Sequence, residues 1–313
     1  MTRLRHALVL FSAMVFALAL GVALGGGPLQ GPVRGAIRSQ LVADPGTDAA
    51  RAAALAQRNR DLTRSARFED GFAQSVSADL LEGALADRPV AVLSLPGVTR
   101  PTTETVVADI AAAGGSVTTA LRVGPDLVAP SARPLVDELT KRLLPEIDDV
   151  EVPEGTSVYT RVGAVVSRAL LTTEDGGVPM GDTSRSVFNT FTTAGLLRGG
   201  EPRQRASAVV VLVPAPPQRG ASTAGRSTIV TELVAAMDEA GDGVVVAGPP
   251  SAAERDGLVS AVRTSAATGE DVSTVDTVGR RAGQVVTVLA LAGEVDGDAG
   301  HYGVGRGADA LVP

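Results

Sequence analysis

Three short aliphatic runs set the tightest limit on this chain: VAVLSL (Val90–Leu95), SAVVVLVP (Ser207–Pro214) and GVVVAG (Gly243–Gly248). Each is apolar at consecutive positions, so both of its faces need cover, and a sheet with helices on both sides provides that. Helical patterns lie between and after them, over Thr102 to Ala113, Arg133 to Leu144, Arg226 to Ala240 and Ala252 to Ala267, with Gly or Pro at most of the stops. SVTTALRV (Ser116–Val123) and Val272 to Val275 read as further strands; Gly283 to Val295 reads as a closing helix, though its QVVTVLAL also fits a strand. The alternation predicts an α/β fold with a Rossmann-like, doubly wound, mostly parallel sheet and right-handed crossovers. Val90–Val123 and Ala208–Ala247 repeat one order of strand, proline-bearing loop, alanine-rich helix, glycine and strand, which suggests two related halves. Residues 150–205 depart from it, with helical stretches at Ser157–Leu171 and Ser184–Leu197, and read as a helical insertion.

The composition decides what fills such a core. Aromatic residues are 3% of the chain and Trp is absent, so Val, Leu and Ala must do the packing. A formal net charge of −7 argues against nucleic acid, whose binding needs a basic face. Cysteine is absent, which removes disulfides, thiolate nucleophiles and Cys-based metal sites together.

The amino terminus suggests a compartment. Arg3 and Arg5 precede an uncharged run from Ala7 to Gly27. As a helix, Ala7 to Leu24 would be about 27 Å long, close to the hydrocarbon thickness of a bilayer. The reading is one N-terminal transmembrane helix with the bulk of the chain outside the cytoplasm; a cleaved signal peptide ending near Ala17–Ala19 or Ala23–Gly25 is the rival. Gly21 and Gly25 form a GxxxG pair that would let two such helices approach, in a chain where small residues are common anyway. Beyond it, Leu55 and Leu62 lie seven apart, and Phe68, Phe72, Val76 and Leu80 step by four. These predict a helical stalk from about Asp48 to Leu85, after a short helix near Ala36–Ala43 and a break at Asp44-Pro45-Gly46. The stalk either forms a coiled coil or lies on the domain. The predicted organisation is 1–28 tip and anchor or signal peptide, 29–87 stalk, 88–299 extracytoplasmic α/β domain, and 300–313 glycine-rich tail.

Loops at the carboxyl ends of the strands are where such folds bind ligands. The candidates are Leu95–Pro101, Pro214–Thr223 and Gly248–Ala252; none carries GxGxxG or a P-loop, so nucleotide binding is not expected. No GxSxG surrounds any serine, and the adjacent acids Asp148-Asp149 and Glu174-Asp175 read as solvated turns, so no catalytic set is assigned and the chain is not read as an enzyme. For metals, Met180, Met237 and His301 are the available soft or imidazole ligands past the first segment, with His6 and Met14 in it; Met237 reads as core, which leaves Met180 and His301 as scattered candidates. The tail GHYGVGRG, Gly300 to Gly307, sets His301 beside Tyr302 between Gly300 and Gly303. It reads as a strip pinned to the domain by its ring and hydroxyl, with a metal or ligand role as the other option.

Several of these pieces carry a resemblance. LALGVALGGG (Leu18–Gly27), RPVAVLSLPG (Arg88–Gly97), STVD (Ser273–Asp276), VVTVLALAGEV and GHYGVGRGA, in this order, resemble the actinobacterial copper transporter family, the MctB-like proteins. The resemblance implies a copper transport, efflux and resistance factor of the cell envelope, described for the family as pore-forming, with copper as cargo, an outer-membrane location, and homo-oligomers or envelope partners. The residues read differently: a membrane barrel needs many segments of about ten residues with alternating polarity, and no copper cage is visible. The alternative is a membrane-anchored extracytoplasmic scaffold that binds an envelope or division partner without holding metal.

Overall fold

The computed structural model describes residues 45–147, 153, 155–217 and 224–313. Compactness divides the chain into two units, Met1–Arg64 and Ser65–Pro313. Helix α1 (Pro45–Leu81) carries the described part of the first unit. The helix expected from about Asp48 starts at Pro45, whose fixed φ suits the first helical position and whose missing N–H has no partner there anyway; Asp44 lies outside the described residues. Over residues 49–64, in the first unit, the helix is exposed, Leu55 and Leu62 included.

In the second unit, β1 (Pro89–Ser94), β2 (Ser116–Val123), β6 (Ala208–Leu212), β7 (Gly243–Ala247) and β8 (Ser273–Val275) form the parallel part of a seven-stranded sheet. Two two-residue strands complete its edges: β4 (Leu197–Arg198), antiparallel to β2, and β9 (His301–Tyr302), parallel to β8. The order is β4-β2-β1-β6-β7-β8-β9. Among the parallel strands this is the 2-1-3-4-5 order of the flavodoxin-like type, not the Rossmann order, and the direction of winding reverses between β1 and β6. A separate pair joins β3 (Val178–Pro179) to β5 (Gln204–Arg205).

Two helical layers cover the sheet. One face, through Leu93, Val209, Val211, Val244 and Val246, meets α3 (Arg133–Leu143), α4 (Val158–Leu170), α5 (Asp182–Thr193), α6 (Ala224–Asp238) and α7 (Leu258–Thr264). The other, through Val90, Val92, Val210, Val245 and Val275, meets α2 (Arg100–Ala112), α8 (Arg281–Val295) and the end of α1 at Leu81. Burial on both faces is why the strands are aliphatic at every position; each such side chain contributes about 1.5–3 kcal/mol by leaving water. Low aromatic content still leaves tight packing. A void near Leu95, Val123 and Met237 measures about 20 Å³ and is lined by apolar side chains, too small for any ligand beyond a water.

Asp109 on α2 is buried at 4% exposure. It takes both terminal nitrogens of Arg281, with Nη2 at 2.8 Å from Oδ1, and so ties α2 to α8. Asp70 of α1 accepts from the Arg281 N–H at 3.2 Å and from Arg280 Nε at 3.1 Å, supplying the first turn of α8 with the cap its own residues lack.

The fold class needs one correction. The N-terminal transmembrane helix is not supported: among the described residues no helix is long and apolar enough to cross a membrane. The longest, α1, carries Arg51, Arg58, Asp61, Arg67 and Asp70 along its length, which the bilayer interior would not accept. Ala7 to Leu24, the Gly21–Gly25 pair, His6 and Met14 lie outside the described residues. Two smaller differences are local. The expected helix Ala252–Ala267 is a 3₁₀ turn, Pro250–Ala253, followed by α7, because Gly257 packs its backbone onto the Ala252 carbonyl. QVVTVLAL is helical, inside α8.

Candidate functional site

The glycine-rich tail folds onto the carboxyl end of β8. Thr274 N–H donates to Gly300 O at 3.0 Å and Asp276 N–H to Tyr302 O at 3.1 Å, which makes β9 an edge strand. From β8 the chain continues in the direction of β6 to β7, yet α8 lies on the face opposite α6. The last crossover therefore has the hand opposite to the usual right-handed one. A two-residue ladder on such a connection holds little, and side chains hold the rest.

The centre is Arg263, in the last turn of α7, facing Asp276, the residue after β8. Their side chains are 2% and 0% exposed, with Nη1 and Oδ2 at 3.0 Å. Asp276 Oδ1 also accepts the Val304 N–H at 2.8 Å, and Oδ2 the Gly305 N–H at 2.9 Å. Successive N–H groups around one carboxylate form an anion nest, here closed on a side chain of the same protein. Gly303 makes it possible: its φ is +131°, and a Cβ there would fall on the Asp276 carboxylate. Arg263 spends three more donors on Thr274 Oγ1 at 2.7 Å, Arg306 O at 2.8 Å and Tyr302 O at 3.0 Å. The charges match and four of the five Arg263 N–H donors are used, so the arrangement clamps the tail.

His301 belongs to the same network. Thr274 Oγ1 accepts from Arg263 Nε at 2.7 Å and shares a hydrogen bond with His301 Nδ1, 3.1 Å away. Burial, then the positive Arg263, lowers the ring's pKa; hydrogen bonds to the Gly269 and Gly300 backbone oppose them. Tyr302 is held up in pKa by burial and the nearby Glu294 carboxylate, and its hydroxyl lies over Gly300.

Glu294, on α8, is 7% exposed and accepts the Ser273 N–H at 3.0 Å. Burial first, and Asp238 among the other causes, pushes its carboxyl up to about 7 from 4.5. Asp238 in turn is raised to about 6 by burial, Asp271 and Glu239. A carboxyl with a raised folded pKa favours folding fully below its unfolded value and loses that contribution as pH rises through the folded value. For Glu294 the window is pH 4.5 to about 7, worth about 3 kcal/mol at 1.36 kcal/mol per unit. Glu294→Gln is expected to unfold like the wild type at pH 4.5 and to be more stable by about that amount at pH 8. Urea titrations at the two pH values measure it, and equal shifts at both would exclude a buried acid at this position.

The structure separates the other candidates. Met180 is buried beside β3 in the layer holding α3 to α7, its backbone tied to Arg203 and Arg185. Met237 is buried in the same layer, on α6. His301 sits on the far edge strand. Among the described residues no three His, Cys, Asp or Glu side chains are placed to hold a metal ion. The methionine sulfurs are thus sealed in aliphatic packing, and the His301 ring lies against Thr274. Asp175 pairs with Arg88 at 2.8 Å, whereas Asp148 and Asp149 lie outside the described residues. Sequence reasoning missed Arg263 and Glu294 and quoted Asp276 without a role. The available signal was an acid immediately after an all-buried strand, at the sheet edge where such folds place function.

A family model described as "Copper transport outer membrane protein, MctB" matches residues 1–313. Copper transporter MctB of Mycobacterium tuberculosis (strain ATCC 25618 / H37Rv) is 28% identical over 249 residues, covering 76% of this chain and 77% of that protein. The protein of the same name from Mycobacterium bovis gives the same figures. That of Mycobacterium leprae is 24% identical over 256 residues, 77% of this chain and 78% of its own.

Proposed function

We propose, from the premise that this chain belongs to the MctB family of copper transport proteins, that it serves copper efflux and copper resistance in the cell envelope. Its part is that of a non-enzymatic assembly factor, working as a homo-oligomer or with an envelope partner. The observation that carries the reading is the family match over the whole of residues 1–313. The open sheet, covered by helices on both faces, and the burial of Met180 and Met237 favour an indirect role in copper handling over a cage within the domain.

The test is a deletion strain grown on graded copper, with cell-associated copper measured by mass spectrometry. Copper tolerance falls and retained copper rises, and the wild-type chain restores both. His301→Ala restores them too, since its ring is spent on Thr274. Unchanged tolerance on deletion would overturn the efflux reading; failure of His301→Ala to complement would overturn the indirect one.

A second reading, a scaffold for an envelope partner without metal, is favoured by the α1 residues of the second unit. Phe68 is 76% exposed, and Phe72 and Leu80 are exposed at the same helical spacing. An aromatic stripe in water suits a protein contact. A deletion that spares copper tolerance but sensitises the envelope to detergent would select this reading.

A further inference from the structure

The crevice between β1 and β6 is where the winding of the sheet reverses, and folds of this type bind ligands outside the carboxyl ends of such strands. Two loops meet there. Gly97, after β1, has φ +105°, and a Cβ on it would stand 3.0 Å from the Pro214 side chain after β6. Arg226, in the first turn of α6, reaches across to the β1 side, where Nη2 donates to Pro96 O at 3.3 Å. Its Nε is buried and, among the described residues, has no partner.

Four other enclosed arginines each meet a carboxylate. Arg88 meets Asp242, Arg161 meets Asp137, Arg263 meets Asp276 and Arg281 meets Asp109. Arg281 Nε also lacks a partner, but Asp109 balances its charge. Among the described residues no carboxylate pairs with Arg226, and burial alone accounts for the fall in its pKa. Its place on the helix compounds the cost, since the first turn of α6 presents positive partial charge to a cation. A half-buried cation without a counter-ion destabilises a fold, and a guanidinium is the side chain that best matches the flat, two-oxygen edge of a carboxylate or phosphate.

We propose that Arg226 forms an oxyanion-binding subsite at the β1/β6 crevice, where a phosphate or carboxylate group supplies the counter-charge that no described residue does. The subsite is independent of the copper reading and of the tail clamp.

The test is thermal melting and calorimetric titration of the full-length chain with inorganic phosphate and, separately, acetate, each against sodium chloride at equal ionic strength. The wild type gains a saturable rise in Tm of about 2–4 °C, the shift that about 1 kcal/mol produces at this size. Response to phosphate alone assigns a phosphate group, and response to acetate alone a carboxylate. Arg226→Met abolishes the rise and, without anion, melts no lower than the wild type, because an unpaired cation has been removed. Arg226→Lys keeps the charge but not the fork and weakens the response. Arg142→Met, which alters an exposed arginine paired with Glu138, leaves it intact. A wild type without saturable response to either anion, or a response that survives Arg226→Met, overturns the proposal.

Discussion

Asp276→Ala is expected to lower the unfolding free energy by about 3–5 kcal/mol, the range for removing one member of a buried ion pair. The substitution does three things at once. It leaves Arg263, 2% exposed, without its counter-charge. It strips the acceptor from the Val304 and Gly305 N–H groups. It also frees the tail, whose ladder to β8 covers only Thr274–His301 and Val275–Tyr302. Urea denaturation reads the first effect. Hydrogen exchange reads the other two, with the Val304 and Gly305 amides losing protection while β6 and β7 keep theirs. A loss below about 1 kcal/mol, the net worth of one ordinary hydrogen bond, would mean that the clamp is solvated.

Arg281→Met is expected to cost a comparable 3–5 kcal/mol, or about that, at pH 7. Asp109, 4% exposed, would be left in the aliphatic layer between α2 and α8 with its guanidinium partner gone. The double substitution Asp109→Leu with Arg281→Met should recover most of the loss, since apolar side chains of similar volume replace a buried pair at little cost. A double-mutant cycle of urea titrations measures this. If the double variant is as unstable as the sum of the singles, the pair is not coupled and the link between α2 and α8 lies elsewhere.

The sheet was largely legible because its strands are short and aliphatic at every position. VAVLS within β1, AVVVL in β6 and GVVVA in β7 show this directly, and all of them are buried. The turn to 3₁₀ at Pro250 was not, since it depends on a close contact between Gly257 and the Ala252 carbonyl rather than on residue pattern. The tail was legible as a composition and not as a structure. Nothing local marks His301-Tyr302 as a strand, because two residues between glycines show no period. Its partners are distant in sequence: Asp276 lies 28 residues from Val304, and Arg263 lies 39 from Tyr302. The role of Arg226 was hidden for the same reason, as only the reversal between β1 and β6 brings Pro96 to it.

From its residues alone the chain determines an aliphatic parallel sheet between helices, a cysteine-free and aromatic-poor core, and a place in one family, since hydrophobic period and motif order are local properties. The tertiary structure decided which charges are buried, which of them are matched, and that the tail closes over β8. Those outcomes depend on desolvation and on the distance between groups far apart in the chain, and both exist only once the sheet has formed.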